Sequence, residues 1–370
     1  MRAYHRALFI FLFSIVCGAS FFPACQKIQL KATGEDDEII VFADSVFWQA
    51  LAPALSRAFE RYVFTPQPEP MFHLMYKPLE DFENLRRSKN FLMVGPIDGG
   101  REVSAFLRSA LHPDVQKIIR EGKEFVINKY NVEAKGQTMM FLSSNDAASL
   151  ETKIDRRADE LFYYFENAWL KREIAELYSE EKYAKKELER SWMKRYEWNI
   201  FIQHDYHVAI DSASEKFVWL RRVAPADMER WIFVHWIDDA DPSKLTSTFC
   251  FNLRNELTRK FLHTVEESVY VRIADDPASL QAYTVGEVNF LGRFGYEMRG
   301  LWQFSDKSGG GPFMSTVFYD EPSKRIYIID GSVWAPRYAK KKLLMQLRAI
   351  MQTFRTANDL TDDERKELKD

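Results

Sequence analysis

The strongest constraint on the fold of this chain is the stretch 299–350, RGLWQFSDKSGGGPFMSTVFYDEPSKRIYIIDGSVWAPRYAKKKLLMQLRAI. Apolar and polar residues alternate along it with the period of strands, and it is interrupted at a glycine-rich and a proline-containing segment. It closes on an amphipathic helical pattern. Strands are expected at 296–304, 313–319 and 325–330, and a helix at 337–354. Gly309-Gly310-Gly311 invites a phosphate-loop reading, but such loops join a strand to a helix. Here the run lies between two strands and lacks a following Gly-Lys-Ser/Thr, so it reads as a flexible hairpin connection.

Upstream, the pattern alternates between the two kinds of element. A strand at 38–43 precedes a helix to about residue 62, with Phe47, Leu51, Leu55 and Phe59 on one face. A proline-stiffened connector at 65–70 leads to a strand at 71–76, a short helix at 79–87 and a strand at 91–94. Two helices at 101–120 break at His112-Pro113, and a hairpin is expected over 124–142. The stripe Leu150, Ile154, Leu161, Phe165, Trp169 announces a long helix from 146 to 195, with a bend expected near Tyr178-Ser179. Strands follow at 197–203, 207–210, 216–222 and 231–236, then a helix at 245–265 and a strand at 270–273.

The expected class is α+β: two mixed or antiparallel sheets with packed amphipathic helices, and one long helix linking two halves. Both halves run from a strand through an amphipathic helix to further strands, so a divergent internal repeat is one way to relate them. The expected organisation is a signal peptide at 1–24, a lipidated tether at 25–37 and an N-terminal α/β half at 38–145. A connecting helix at 146–195, a C-terminal α+β half at 196–356 and a charged, frayed tail at 357–370 complete it.

The first residues carry a targeting pattern. Arg2, His5 and Arg6 precede an apolar run at 7–16 that is short for a membrane span. Small residues follow, then Phe22-Pro23-Ala24-Cys25. Phe22 is bulky for ordinary signal cleavage, whereas lipidation at Cys25 asks only that Ala24 be small. An ordinary secretory signal or an uncleaved anchor is the alternative. Gln26 after the cysteine favours the outer membrane, at its periplasmic face or at the cell surface.

The whole chain holds 51 basic and 54 acidic residues. Loss of Arg2 and Arg6 with the leader would leave 49 against 54, moving the net charge from -3 to -5. This balance argues against nucleic-acid binding, which requires a strong basic footprint. With Cys25 acylated, Cys250 has no disulfide partner, and between Phe249 and Phe251 it reads as a buried, inert thiol.

Motifs for catalysis are weak. His204-Asp205-Tyr206-His207, with His235 further on, is the most metal-like cluster, but it reads as a turn, where the imidazoles diverge. Asp238-Asp239-Ala240-Asp241-Pro242 opens like a calcium loop and lacks its later glycine and glutamate. No metal, cofactor or catalytic residue is assigned. The less ordinary feature is arginine on apolar strands, at Arg221 beside Trp219 and at Arg299 beside Trp302. Each needs an acid, such as Glu297, Asp330 or Asp211, or a bound anion or partner. Trp219, Trp302 and Trp334 form either core or a stacking platform for a sugar.

FVWLRR at 217–222, RGLW with GGPF at 299–313, and the ending at 330–350 resemble an uncharacterised family of bacterial lipoproteins, domain of unknown function 4837. The segment 66–90 is similar too. The resemblance implies a lipid-anchored envelope protein of Bacteroidetes-type bacteria without an assigned activity. Phe22-Pro23 is the main departure, since the preferred pair is leucine and a small residue. The partners expected are the membrane, through the lipid, and an envelope protein, a glycan or an anionic ligand. A non-enzymatic binding or structural module is the first reading; a hydrolase whose site is assembled from distant residues is the alternative.

Overall fold

The structure is a computed structural model that describes residues 29–179, 181–225, 227–264, 268–274 and 283–367. The leader, Cys25 and Gln26 lie outside the described residues. Among the described residues no helix is long and apolar enough to cross a membrane.

The chain begins β1 (Glu38–Phe42), α1 (Ser45–Phe59), β2 (Tyr62–Val63), β3 (Glu69–Pro70), β4 (His73–Lys77), α2 (Phe82–Leu85) and β5 (Asn90–Val94). It continues with α3 (Glu102–Ala110), α4 (Pro113–Arg120), β6 (Val126–Tyr130) and β7 (Thr138–Leu142). Helices α5 (Ala147–Arg156), α6 (Ala158–Ser179) and α7 (Lys186–Tyr196) lead into the second half. There β8 (Trp198–Asn199), β9 (His207–Ser212), β10 (Phe217–Val223) and β11 (Glu229–Ile237) precede α8 (Ser247–Phe261). The rest is β12 (Val271–Ile273), β13 (Tyr283–Phe290), β14 (Arg293–Phe304), β15 (Gly310–Asp320), β16 (Arg325–Trp334), α9 (Lys341–Met351), β17 (Arg355–Thr356) and α10 (Asp362–Glu367).

The fold is α+β, as the alternating periodicities predict. The first sheet has the order β4-β1-β5-β7-β6, parallel except for the β6–β7 hairpin. Its inner strands β1, β5 and β7 are buried on both faces because helices cover both, while the edge strands β4 and β6 are partly exposed. Phe42, Phe91 and Phe141 pack with Val103 and Leu107 on one side, while Val41, Leu92 and Leu142 face the main core on the other. The second sheet, β12-β14-β15-β16-β11-β10-β9 with β13 also on β14, is antiparallel throughout. Crossover connections build one sheet and hairpins the other, so the similar element order of the halves has no counterpart in topology. The divergent repeat is set aside on that ground.

Three further expectations change. The helix expected over 146–195 is three helices. It breaks at Arg157, which leaves helical geometry to donate to Glu160 at 2.7 Å and to Glu124 at 2.7 Å. It ends again at Ser179, where the bend was expected, and resumes only at Lys186, after Ala184 bridges to Gln203 and the Lys185 N–H donates to the Ile202 carbonyl at 2.9 Å. The expected tether at 25–37 is docked over its described part. Asp36 accepts from Arg172 and from Lys89 at 2.5 Å each, and Asp37 pairs with Lys341 at 2.8 Å. The tail is not frayed up to residue 367: Thr356 and Asp359 form a reciprocal cap, and Arg355 binds Glu364 through two bonds at 2.6 and 2.8 Å.

One core joins the halves. Phe165 and Trp169 of α6, Leu347 and Ile350 of α9, and Ile329 and Val333 of β16 belong to the same buried cluster as Val41 and Leu92. A side chain of this size contributes about 1.5–3 kcal/mol when fully buried, so the helices between the sheets are the main support of both. The opposite face of the large sheet carries a second core under α8, with Cys250, Leu253 and Leu257 against Phe233, Phe313 and Val317.

Candidate functional site

Strand alternation places Trp219 and Arg221 on one face of β10, and Glu229 and Trp231 on the same sheet face of β11. Register sets Arg221 opposite Trp231, and Glu229 opposite Trp334 of β16. Helix α8 covers part of this face and ends at Phe261; the chain then returns through β12. Between that return, the β14–β15 turn and the ends of β10, β11 and β16 lies an open groove of about 340 Å³. Trp219, Trp231, Trp334 and Phe304 give it aromatic walls, and Arg221 and Glu229 give it a polar edge.

The aromatic rings are held in fixed relation. Trp219 and Trp231 meet edge to face at 6.2 Å and 83°. Trp231 rests against Trp302 at 4.8 Å, and the Trp302 indole donates to the Val333 carbonyl at 3.2 Å. The indole N–H groups of Trp219 and Trp231 are enclosed and have no hydrogen-bond partner among the described residues. An enclosed donor left unpaired costs about 1–3 kcal/mol. Arg221 Nε donates to Glu229 Oε1, and its guanidinium lies 5.2 Å from the centre of the Trp219 ring. Hydrogen bonding to Glu229 holds the Arg221 guanidinium above its ordinary pKa. Within the pair Arg221 is half-exposed and Glu229 is buried, so the guanidinium is the more accessible charge, and His263, Thr264 and Ser308 add further polar groups to the lining.

Arg299 lies elsewhere, on β14. Its Nε donates to Glu297 at 2.6 Å and its Nη1 to Glu166 of α6 at 3.1 Å; Arg348 of α9 donates to the same Glu166 oxygen at 2.8 Å. Burial alone would raise the Glu166 carboxyl, but the two guanidiniums hold it below the usual range. A cavity of about 180 Å³ adjoins this cluster, walled by Phe64, Phe162, Phe313 and Met345. Arg299 thus ties the large sheet to α6 and, through Glu166, to α9. The two arginines singled out in the sequence therefore occupy two separate places, each with an acid beside it.

Other residues noted in the sequence do not converge. His204 is exposed on the turn before β9 and His207 is exposed as the first residue of β9, while His235 is mostly buried on β11, where burial pushes its pKa down to about 4. Among the described residues no group of three or more His, Cys, Asp and Glu could hold a metal ion. Asp238 binds Lys216 at 2.7 Å and Arg325 at 2.6 Å, and Asp241 accepts from the Ser243 N–H at 2.9 Å at the start of a short helical turn. Burial pushes the Cys250 thiol up to about 12, which fits an inert core cysteine. Gly310 and Gly311 stand in β15 rather than in a loop. A Cβ on Gly311 would lie 2.0 Å from the Val333 carbonyl oxygen, so close strand approach demands glycine there.

Arg254 was not singled out in the sequence. It lies on the buried face of α8, four residues after Cys250 and three before Leu257, with none of its side chain exposed. It donates to Asp330 at 2.7 Å and to the hydroxyls of Ser315 and Ser332 at 3.2 Å each. Asp330 also accepts from both serines. The cluster is sealed from solvent, so its serines and acid are out of reach of a substrate. Glu229, Trp231, Glu166 and Arg348 were missed too. Only Arg348 gave a sequence signal, as a cation on the amphipathic helix that ends the opening stretch.

Residues 185–353 match the family described as domain of unknown function (DUF4837), and residues 32–178 match a second, domain of unknown function (DUF8532). The resemblance to the first family therefore rests on the C-terminal half. The segment 66–90, read as part of it, falls under the second. No curated protein matches the sequence. Among solved structures, LpqN, described as involved in cell envelope biogenesis of Mycobacterium tuberculosis, aligns at 10% identity over 42% of this chain and 79% of its own, with a TM-score of 0.26. The Ran-binding protein Mog1p of Saccharomyces cerevisiae aligns at 11% identity over 44% of this chain and 90% of its own, with a TM-score of 0.28. Both superpositions are too loose to establish a common fold.

Proposed function

We propose that this chain is a lipid-anchored protein of the cell envelope whose folded body is a non-enzymatic binding module, with the Trp219–Trp231–Trp334 groove as its ligand site. The observation that carries the binding reading is the groove itself: ordered aromatic walls and a polar edge that includes the half-exposed Arg221. Ligand sites combine apolar faces with a few convergent polar groups in this way. Arg221 is then a contact residue at the rim. Arg299, whose charge is met by Glu297 and Glu166, holds the helices to the sheet.

The anchor is supported by the basic start, the short apolar run and Ala24 before Cys25. The folded body begins within a few residues of that cysteine, since Ala32 and Thr33 already donate to Lys135 and Arg87. A short leash would hold the body close to the bilayer, in the outer membrane. Mass spectrometry of the mature protein tests the anchor: an acylated Cys25 is expected, and an unmodified cysteine or an intact leader refutes it. Pull-down from envelope extract tests the groove separately. The wild type is expected to retain material that a Trp219→Ala/Arg221→Ala variant loses, and equal retention by both overturns the assignment of the groove.

A further inference from the structure

Resting on the reading of Cys25 as the lipidated residue, we propose that the face around the β6–β7 turn lies against the leaflet that holds the anchor. A second groove opens on that face, and it takes the phosphate of an anionic phospholipid. Chain length is the first argument. Gln29 comes four residues after Cys25, and four extended residues span at most about 14 Å. Gln29 is already fixed to the body, since its Nε2 donates to the Asn131 carbonyl at 2.6 Å. The contact continues along the chain: the Lys135 N–H donates to the Leu30 carbonyl at 2.8 Å, and the Ala32 N–H to the Lys135 carbonyl at 2.9 Å. An anchor at Cys25 therefore keeps the turn at 131–137 close to the headgroups.

Surface chemistry is the second argument. Leu30, Tyr130 and Val132, on these two paired segments, are all exposed. Tyrosine and aliphatic side chains beside lysines suit the boundary between headgroups and acyl chains. Between the turn and α6 lies a groove of about 380 Å³, lined among others by Tyr130, Asn131, Lys135, Tyr164, Lys171 and Arg172. No acid stands in that lining; Glu133 of the turn and Glu176, which pairs with Lys31, lie outside it. Arg172 is bonded to Asp36. Lys135 and Lys171 are exposed and have no acid partner among the described residues, so two ammonium groups are open to an arriving anion. Lysine binds phosphate as a point charge. A soluble anion would meet the same lysines, but the anchor holds lipid phosphates beside this groove at high effective concentration.

The test uses the mature acylated protein in vesicles of phosphatidylcholine, with and without phosphatidylglycerol, whose brominated acyl chains quench a nearby fluorophore. With Cys25 acylated and Cys250 buried, a thiol-reactive fluorophore is directed to an introduced cysteine. The Val132→Cys label is expected to be quenched, more strongly with phosphatidylglycerol. The Val208→Cys label, on the edge strand β9 of the other sheet, should stay bright. Lys135→Gln with Lys171→Gln should lower the ratio of docked to free protein on phosphatidylglycerol about 25-fold, about fivefold for each lysine near an anionic leaflet. Thermal melts should be unchanged, since both side chains are exposed. Equal quenching at both positions, quenching at neither, or indifference to the lysine changes would overturn the proposal. So would release of the turn by inorganic phosphate at constant ionic strength to the same extent with and without phosphatidylglycerol, which would make the groove a site for a soluble anion. Mass spectrometry of the same sample keeps the two readings apart. An unmodified Cys25 refutes the anchor, whereas an acylated Cys25 with an unquenched turn refutes the docking alone.

Discussion

At the scale of single residues, the arginines show how context divides one side-chain type into different duties. Arg254 has no exposed side-chain surface, and Asp330 with two serines meets its charge. Removing one partner of a buried pair leaves the other charge without solvent or counter-ion, which costs about 3–5 kcal/mol. Asp330→Ala is therefore expected to lower the urea midpoint by that equivalent. Arg254→Met combined with Asp330→Asn should cost clearly less, because no net charge remains buried and the asparagine still accepts from the serines. Equal losses for the two variants would show that packing, rather than charge, holds this site. Arg221, half-exposed beside Trp219, is the contrasting case, since water and a ligand can both reach it. Apolar strands carrying a cation were visible at Arg221 and Arg299 in the sequence. Of the acids that answer them, Glu297 was named in the sequence and does bond to Arg299, whereas Glu229 and Glu166 were not, because cross-strand and sheet-to-helix neighbours are set by register and packing.

At the scale of elements, the order of strands and helices was legible almost throughout, including the break between α3 and α4 at His112-Pro113. The exceptions have local causes. The bend expected near Tyr178-Ser179 coincides with the end of α6 at Ser179, but continuous helical periodicity hid the break at Arg157, whose bond to Glu124 spans a distance that a helical pattern does not report. The run Gly309-Gly310-Gly311 looked like a loop because glycine is common in loops. Its last two members are strand residues required by close backbone approach. Gly311→Ala would drive a Cβ against the Val333 carbonyl and is expected to cost about 1–3 kcal/mol by thermal or urea unfolding. Gly286→Ala is the control: nothing lies within 4 Å of a Cβ there, and stability should stay nearly unchanged. Similar losses at both positions would place the cost in strand propensity and not in the β15–β16 contact.

At the scale of the whole molecule, the two family matches divide the chain near residue 180, while the core does not divide there. Helices α6 and α9 pack together, and Glu166 is bonded from both β14 and α9. The expected outcome is one cooperative unfolding transition for the full chain, coincident by far-ultraviolet circular dichroism and tryptophan fluorescence. Residues 32–178 expressed alone should bind a hydrophobic dye and lack cooperative melting, since Phe165 and Trp169 would lose part of their cover. Two separate transitions, or a cooperatively folded fragment, would show two independent domains. The sequence by itself determined the α+β class, most of the order of elements and the buried character of Cys250. Those properties follow from periodicity, turn chemistry and local composition, all of which act over a few residues. Only the tertiary structure decided that the first sheet is parallel and the second antiparallel, and that Arg254 meets Asp330. It also brought three tryptophans and an ion pair from β10, β11 and β16 to one groove. These depend on contacts between residues far apart in the chain, whose pairing no local pattern encodes.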